Sequence, residues 1–420
     1  MDGRTTVALI GIAGYGDTYL APLLAGSARR DYRLVAVADP APERSRSLSD
    51  LRERGIRVYE NLDDLLAGYA PDLVVMASPI YVHARDTIRA LAAGSSVLCE
   101  KPAAATAADV RRMCDAQQRA PGRFVAIGFQ WSFSRAIQRL KADILAGTFG
   151  RPLTMRSLVL FPRGDAYYAR NRWAGRLATN DGQPVFDSPV NNAAAHYLHN
   201  MLYLLGHDRR SSETPVHLQA ELYRANRIES YDTAVLRTMT PCGAEVSLAT
   251  SHATGRRIGP QFRFKFERAT VTYGEEAPHD HVIARLEDGR VVDYGAPEAD
   301  RDEKLWQCIA AAREGAAVDC DVAAALPHAL CVDAARRSFE APVTIPAEQI
   351  LRRAVNGDGQ MSVVAGLEEA MLKCHRLGAT PFELGIFKWA RAGKLVQLCD
   401  FTAAAKSRGT DVERAMIAAT

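Results

Sequence analysis

The chain lacks any run of 18 or more apolar residues, and Met1-Asp2-Gly3-Arg4 leads straight into an apolar strand. A membrane span needs such a run, and a secretory signal needs a basic start ahead of an apolar core. The expectation is therefore a cytoplasmic protein with no membrane partner. Paired cysteines are also missing. The eight cysteines (Cys99, Cys114, Cys242, Cys308, Cys320, Cys331, Cys374 and Cys399) form no CxxC pair and no Cys/His ligand spacing, so reduced thiols and no metal site are expected. Charge of one sign is in slight excess only, at +3, which is too little for a nucleic-acid or membrane surface. No internal repeat or low-complexity tract occurs. Lysine is absent before Lys101, and the next is Lys141, every earlier basic position being arginine or histidine. A first lysine that ends an apolar strand points to a site that needs a compact, titratable ammonium.

What is present begins with size. At 420 residues, 48% hydrophobic and 24% charged, the chain exceeds one ordinary core and reads as a globular protein of at least two domains. Thr5–Ile10 has the length of a buried parallel strand and runs into Gly11-Ile12-Ala13-Gly14-Tyr15-Gly16, followed by an apolar helix in which Pro22 fits only the first turn. This strand, glycine turn and helix form the context of a dinucleotide fingerprint: Gly11 allows the tight turn, Gly16 the close packing, and helix amides meet a pyrophosphate. Ala13 replaces the middle glycine. A second strand, Arg33–Ala38, ends at Asp39, 28 residues after Gly11. A carboxylate there accepts from ribose hydroxyls and repels a 2′-phosphate, which favours NAD, with NADP kept open by Arg44 and Arg46. Further strands at 56–59, 73–77, 96–99 and 124–129 alternate with helices capped by Asn61 and Thr106. The result is a doubly wound parallel sheet over residues 1–130.

The fifth strand delivers Glu100-Lys101-Pro102. Together with the glycine turn, Asp39, Ser78-Pro79, His83 and the run Ala93-Gly94-Ser95-Ser96-Val97-Leu98-Cys99, this resembles the glucose–fructose oxidoreductase / inositol dehydrogenase / MocA (Gfo/Idh/MocA) family. The resemblance is close over the first domain and loose beyond it. It implies an N-terminal Rossmann sheet plus a C-terminal α+β domain with a mostly antiparallel open sheet. It also implies an NAD(P)-dependent oxidoreductase that transfers a hydride between nicotinamide and a secondary alcohol or ketone of a sugar, glycoside or cyclitol. Cofactor contacts are then expected at Gly11, Ala13, Gly14, Tyr15, Gly16, Asp39, Ser78, His83, Glu100 and Lys101. Lys101 would touch both the nicotinamide ribose and the reacting hydroxyl, and a homodimer or homotetramer would form through the second sheet.

Residues 131–344 are expected to carry that second sheet, with strands near 152–159, 216–222, 233–238, 244–250, 262–266 and 282–286. Helices near 301–313 and 321–337 would return to the first domain. Residues 345–420 are expected to form a mainly helical extension with apolar segments at 361–376, 382–391 and 395–406, packed on the body. A polar loop, Asp181–Pro189, precedes an expected single helix Val190–Gly206 on which Asn192, His196, His199 and Asn200 share a side. The family pattern D-x-G-x-H, with a glycine ten residues on, aligns Gly206 with His196 as the catalytic acid/base and puts Asn192 where an aspartate is common. Candidate catalytic residues are thus Lys101, His196 and Asn192. Candidate substrate residues are Lys101, Tyr168, Arg172, Asn192, His196 and His199, the loop with Arg163, Tyr167, Arg170 and Trp173 being equally a subunit contact. Two other readings remain open: an NAD-dependent glycoside-cleaving enzyme using transient oxidation, and a non-catalytic dinucleotide sensor.

Overall fold

A computed structural model describes residues 3–25, 31–355, 357 and 359–398. Six parallel strands build the first sheet in the order β3-β2-β1-β4-β5-β6: β1 (Thr5–Ile10), β2 (Tyr32–Ala38), β3 (Arg57–Tyr59), β4 (Leu73–Met76), β5 (Ser96–Cys99) and β6 (Val125–Ile127). The reversal of strand order between β1 and β4 opens the crevice in which ligands of such sheets bind, beyond the carboxyl ends of the strands. Helices α1 (Gly16–Ala25), α2 (Leu48–Glu53), α3 (Leu62–Gly68), α4 (His83–Ala92) and α5 (Ala107–Gln118) connect the strands. Asn61 caps α3 by accepting from the Asp64 amide, and Thr106 caps α5 by accepting from Asp109. Pro22 lies well inside α1 rather than in its first turn.

Helix α6 (Arg135–Leu145) leads to a ten-stranded sheet. Its strands are β7 (Pro152–Leu160), β8 (His217–Arg224), β9 (Thr233–Met239), β10 (Glu245–Ser251), β11 (Ile258–Phe266), β12 (Ala269–Tyr273), β13 (Val282–Leu286), β14 (Val291–Gly295), β15 (Val343–Thr344) and, later in the chain, Val396–Gln397. Most neighbours are antiparallel, but β7 runs parallel to β10 and β15 parallel to β8. One face of this sheet buries Leu218, Leu236, Val246, Phe262 and Phe264 in the core shared with the first domain. Two helices return to that domain: α9 (Glu303–Glu314) packs on β1, β4 and β5, and α10 (Val322–Ser338) packs on α5 and β6. For naming, α7 is Asp165–Ala169 and α8 is Ala195–Leu204.

The third segment corrects an expectation. Its first elements are the hairpin of β16 (Ile350–Val355) and β17 (Gly359–Val364), followed by one helix, α11 (Leu367–Leu377). The strand Val396–Gln397, β18, pairs with β8. Of 395–406 only 395–398 fall within the described residues, and the segment 382–391 forms no helix. Its apolar residues belong to turns instead: Phe387 and Trp389 stack on one another at 4.4 Å against the second core, where Tyr223 meets Trp389. No described helix is long and apolar enough to cross a membrane.

Candidate active site

Two features converge at the carboxyl ends of the parallel strands. The first is the glycine turn. Gly11 has φ +80°, and a Cβ there would lie 2.9 Å from the Ala77 backbone; a Cβ on Gly16 would strike Gly11 O at 2.0 Å. These two glycines let β1 and α1 close on the end of β4. Gly14, with φ +64°, has nothing within 4 Å of where a Cβ would stand, so the turn keeps an open cradle in front of the α1 amides. Asp39 holds the turn from β2: its Oδ2 accepts from Ile12 N (2.8 Å) and Ala13 N (3.3 Å), and its Oδ1 from Ala41 N (2.8 Å). Ser78 at the end of β4 presents a buried Oγ with no partner among the described residues. Open cradle, strand-end carboxylate and orphaned hydroxyl fit a dinucleotide. Tyr15, 41% exposed, stands beside the turn and lines a groove of about 240 Å³ with Tyr19, Pro22, Arg301 and Lys304.

The second feature is Lys101. Its Nζ donates to Asn192 O (2.9 Å) and Asn192 Oδ1 (3.1 Å). An ammonium has three donors, so one remains for a ligand. Burial pulls the Lys101 pKa down to about 8, helped by the like charges of Lys304 and Arg170 and opposed by Glu100 and Asp187. His196 lies close enough to feel that ammonium: burial first, then Lys101, holds its pKa well below the ordinary histidine range. The imidazole is thus neutral in the physiological range. Its Nδ1 is buried without a partner among the described residues.

The expected single helix through these residues is broken in two. Ser188 caps a π-helical turn, Pro189–Ala193, closed by Ala194 N to Pro189 O at 2.7 Å, and α8 begins only at Ala195. The wide turn, a feature often found at functional sites, lets both the backbone and the side chain of Asn192 face Lys101. It also undoes the shared face proposed from helical spacing. His199 is 1% exposed, stacks on Phe129 at 3.8 Å and bonds Ser132 Oγ at 3.0 Å. It is a core residue, not a substrate contact, because the face of α8 that carries it packs against the segment after β6.

Two expected cofactor contacts are likewise structural. His83 is 1% exposed, and its ring bridges two main-chain oxygens, Pro102 O (2.9 Å) and Ser78 O (2.8 Å), tying the end of β4 to the Lys101 loop. Glu100 is buried beneath the turn. It accepts from Tyr19 Oη (2.5 Å), from the Lys101 amide (3.0 Å) and from Lys304 Nζ of α9. Burial raises the Glu100 carboxyl, but Lys304, Tyr19 and Lys101 together bring it below its ordinary value; burial likewise opposes the Lys304 charge, and Glu100 outweighs it. Both ends of this pair are therefore ionised at neutral pH.

Lys304 and Tyr19 escaped sequence reasoning as partners of Glu100, because they stand 204 and 81 residues from it and nothing local marks either. Removing one partner of a buried ion pair costs about 3–5 kcal/mol, whereas removing both costs far less. Lys304→Met is expected to lower unfolding stability by that amount in urea titration, with Glu100→Gln/Lys304→Met recovering most of it. A Lys304→Met protein as stable as the parent would leave the pair no structural role.

The aromatic–basic loop borders the site on the other side. Arg170 lies 3.7 Å over the Tyr167 ring and 3.8 Å from Asp187. Tyr168 Oη meets His252 Nδ1 at 3.0 Å, and Arg172 is exposed. Asp187 was not singled out by sequence; its place five residues before Asn192 matches no helical period. Among the described residues no three His, Cys, Asp or Glu side chains gather as a metal site.

Comparison with known proteins bears on the first domain. Residues 5–129 match the model of an oxidoreductase family with an NAD-binding Rossmann fold, GFO_IDH_MocA. Over residues 5–129 the first domain is similar to this family. Inositol 2-dehydrogenase of Acidothermus cellulolyticus is 34% identical over 152 residues, 36% of this chain and 44% of that protein. D-glucoside 3-dehydrogenase of Escherichia coli is 33% identical over 122 residues, 29% of this chain and 34% of that protein. The chain thus spans less than half the length of these curated relatives. Solved structures share the fold over more of the chain. The WlbA dehydrogenase from Bordetella pertussis, in complex with NADH and UDP-GlcNAcA, superposes with a TM-score of 0.65 at 23% identity, covering 82% of this chain and all of that one. Levoglucosan dehydrogenase, in complex with NADH and levoglucosan, gives 0.65 at 19%, covering 79% and 96%.

The dinucleotide of such a domain is NAD, and Asp39 bears on the choice against NADP. NAD is expected to bind about tenfold or more tightly, about 1.4 kcal/mol, because a 2′-phosphate would meet the Asp39 carboxylate. Fluorescence titration of the protein with both cofactors checks this. Equal affinities would mean that the exposed Arg44 or Arg46 neutralises the phosphate.

Proposed function

We propose that this protein is an NAD-dependent oxidoreductase acting on a CH–OH group of a sugar or cyclitol. The observation that carries the reading is the Lys101 ammonium, held by two bonds to Asn192 with one donor left over, beside a neutral histidine at the carboxyl edge of a dinucleotide-binding sheet. When bound, NAD supplies the hydride acceptor. The chain's own residues do the rest. Lys101 donates to the substrate oxygen and stabilises its developing negative charge. His196, through the lone pair of its neutral ring, takes the hydroxyl proton, and in the reverse direction returns it. The loop of Tyr167, Tyr168, Arg170 and Arg172 forms a wall of rings and guanidinium groups suited to a polyhydroxylated ligand. The curated relatives are named as dehydrogenases of inositol and glucoside, which supports net oxidation over glycoside cleavage or sensing alone.

The test is a panel of inositols, free sugars, glycosides and uronates mixed with NAD and followed by NADH absorbance. Formation of NADH with at least one member is expected. Turnover of a glycoside without added NAD and without net NADH would replace this reading with transient oxidation.

A further inference from the structure

Among the described residues Lys101 touches no carboxylate with its Nζ; its two acceptors there both belong to Asn192. An asparagine side chain has a near-symmetric shape, and its amide can present either an oxygen or an NH₂ to a neighbour. Something must keep the oxygen toward the ammonium. That group is Asp187. Asn192 Nδ2 donates to Asp187 Oδ1 at 2.8 Å, while Asp187 Oδ2 accepts from Gly175 N at 2.7 Å and faces Arg170 Nη2 at 3.8 Å. Burial raises the Asp187 carboxyl, and the Gly175 amide, Arg170, Asn192 and Lys101 work against that rise; as a carboxylate it only accepts, so it binds the NH₂ end of the amide and leaves the oxygen for Lys101. The Asp187 side chain is 4% exposed, so water does not stand in for it. The preceding residue, Phe186, holds φ +48° with its ring against the Arg336 guanidinium, an unfavourable backbone for a non-glycine residue, and it directs the chain into this position.

We infer that Asp187 is the positioning carboxylate of Lys101, acting through the amide of Asn192. This rests on the dehydrogenase reading for its catalytic consequence, not for its geometry. It also bears on Asn192, which stands where the family commonly has an aspartate. With Asp187 in place, a carboxylate at 192 would set a half-buried anion within hydrogen-bond reach of a buried one, so that single change is expected to impair the protein. In an Asp187→Asn background the same change moves the carboxylate one link nearer to Lys101.

The experiment compares Asp187→Asn, Asn192→Asp and the Asp187→Asn/Asn192→Asp double variant. Asp187→Asn keeps the shape and is expected to lower kcat by about 10- to 100-fold, the worth of a hydrogen bond to a charged group, with NAD affinity unchanged. The double variant is expected to recover most of that loss, which a merely structural role for Asp187 at Gly175 does not allow. A second readout needs no turnover. The Lys101 resonance of the ¹³C-methylated protein, identified by its loss in Lys101→Arg, is titrated by NMR. The ammonium is faced by Glu100, Lys304, Arg170, Asp187, His196 and His328. Loss of the Asp187 charge alone is expected to lower its midpoint, and the double variant to restore it. Unchanged kcat and midpoint in Asp187→Asn, or a double variant no better than Asp187→Asn, overturns the inference. If the parent protein oxidises no sugar, the dehydrogenase reading fails by itself and the NMR titration still decides the role of Asp187.

Discussion

Replacing Lys101 with arginine is expected to lower turnover by about 10²- to 10³-fold, the usual cost of losing one donor aimed at a developing oxyanion, and alanine should cost at least as much. The ammonium fits because Asn192 offers two oxygens to one nitrogen, at 2.9 and 3.1 Å, while the third proton stays free. A guanidinium spreads its donors over a larger planar fork and cannot direct two at Asn192 and a third at a substrate from the same atom. Measured kcat, with NAD affinity checked separately, separates this from simple loop anchoring, for which arginine would suffice. A fully active Lys101→Arg protein would remove the lysine from the chemistry. The pH profile supplies a sign. Burial brings the Lys101 pKa to about 8, so the ammonium is lost as pH rises through that value. Alcohol oxidation should then fall above about pH 8 if the charged form is the active one. A rise across the same range would mean that Lys101 is the base.

His196→Ala is expected to lower kcat by about 10²- to 10⁴-fold, the range for loss of a general base, with little change in NAD affinity. Burial and the Lys101 ammonium keep the imidazole neutral, so its lone pair is available without prior deprotonation. One consequence is specific. The acid limb of the profile should not show an ordinary histidine titration in the substrate-free enzyme, and kcat/KM measured across pH 5 to 9 tests this against the usual histidine pKa of about 6.5. Near-normal turnover in His196→Ala would move attention to the tyrosines of the bordering loop, since His199 is sealed against Phe129.

Much of the first domain was legible in order along the chain. Buried parallel strands read as short apolar runs, the glycine turn follows from local backbone freedom, and Asn61 and Thr106 cap their helices through bonds three residues long. Those signals are local, so sequence contains them. Lys101 was visible for a related reason, as a charged residue ending an apolar strand at the edge where such sheets hold ligands. The antiparallel character of the second sheet was also readable from alternating segments such as Gln261–Phe266, although β12 and β14 were not.

What the chain could not disclose lies in long-range pairing. Glu100 looked like a cofactor contact until α9 brought Lys304 to it, and His83 until the Lys101 loop closed over its ring. Asn192 and His199 seemed to share a helix face because a regular period of 3.6 residues was assumed; the π turn at Pro189–Ala193 rotates one out to Lys101 and leaves the other in the core. The third segment has apolar content suited to helix or turn alike, and packing on the large sheet chose a hairpin and one helix. By itself, the sequence determined a dinucleotide turn and a strand-end lysine, because each depends on neighbours in the chain. Only the tertiary structure decided which carboxylate serves that lysine, because Asp187 reaches it through a hydrogen-bonded amide 91 residues away from Lys101 and not through any spacing along the chain.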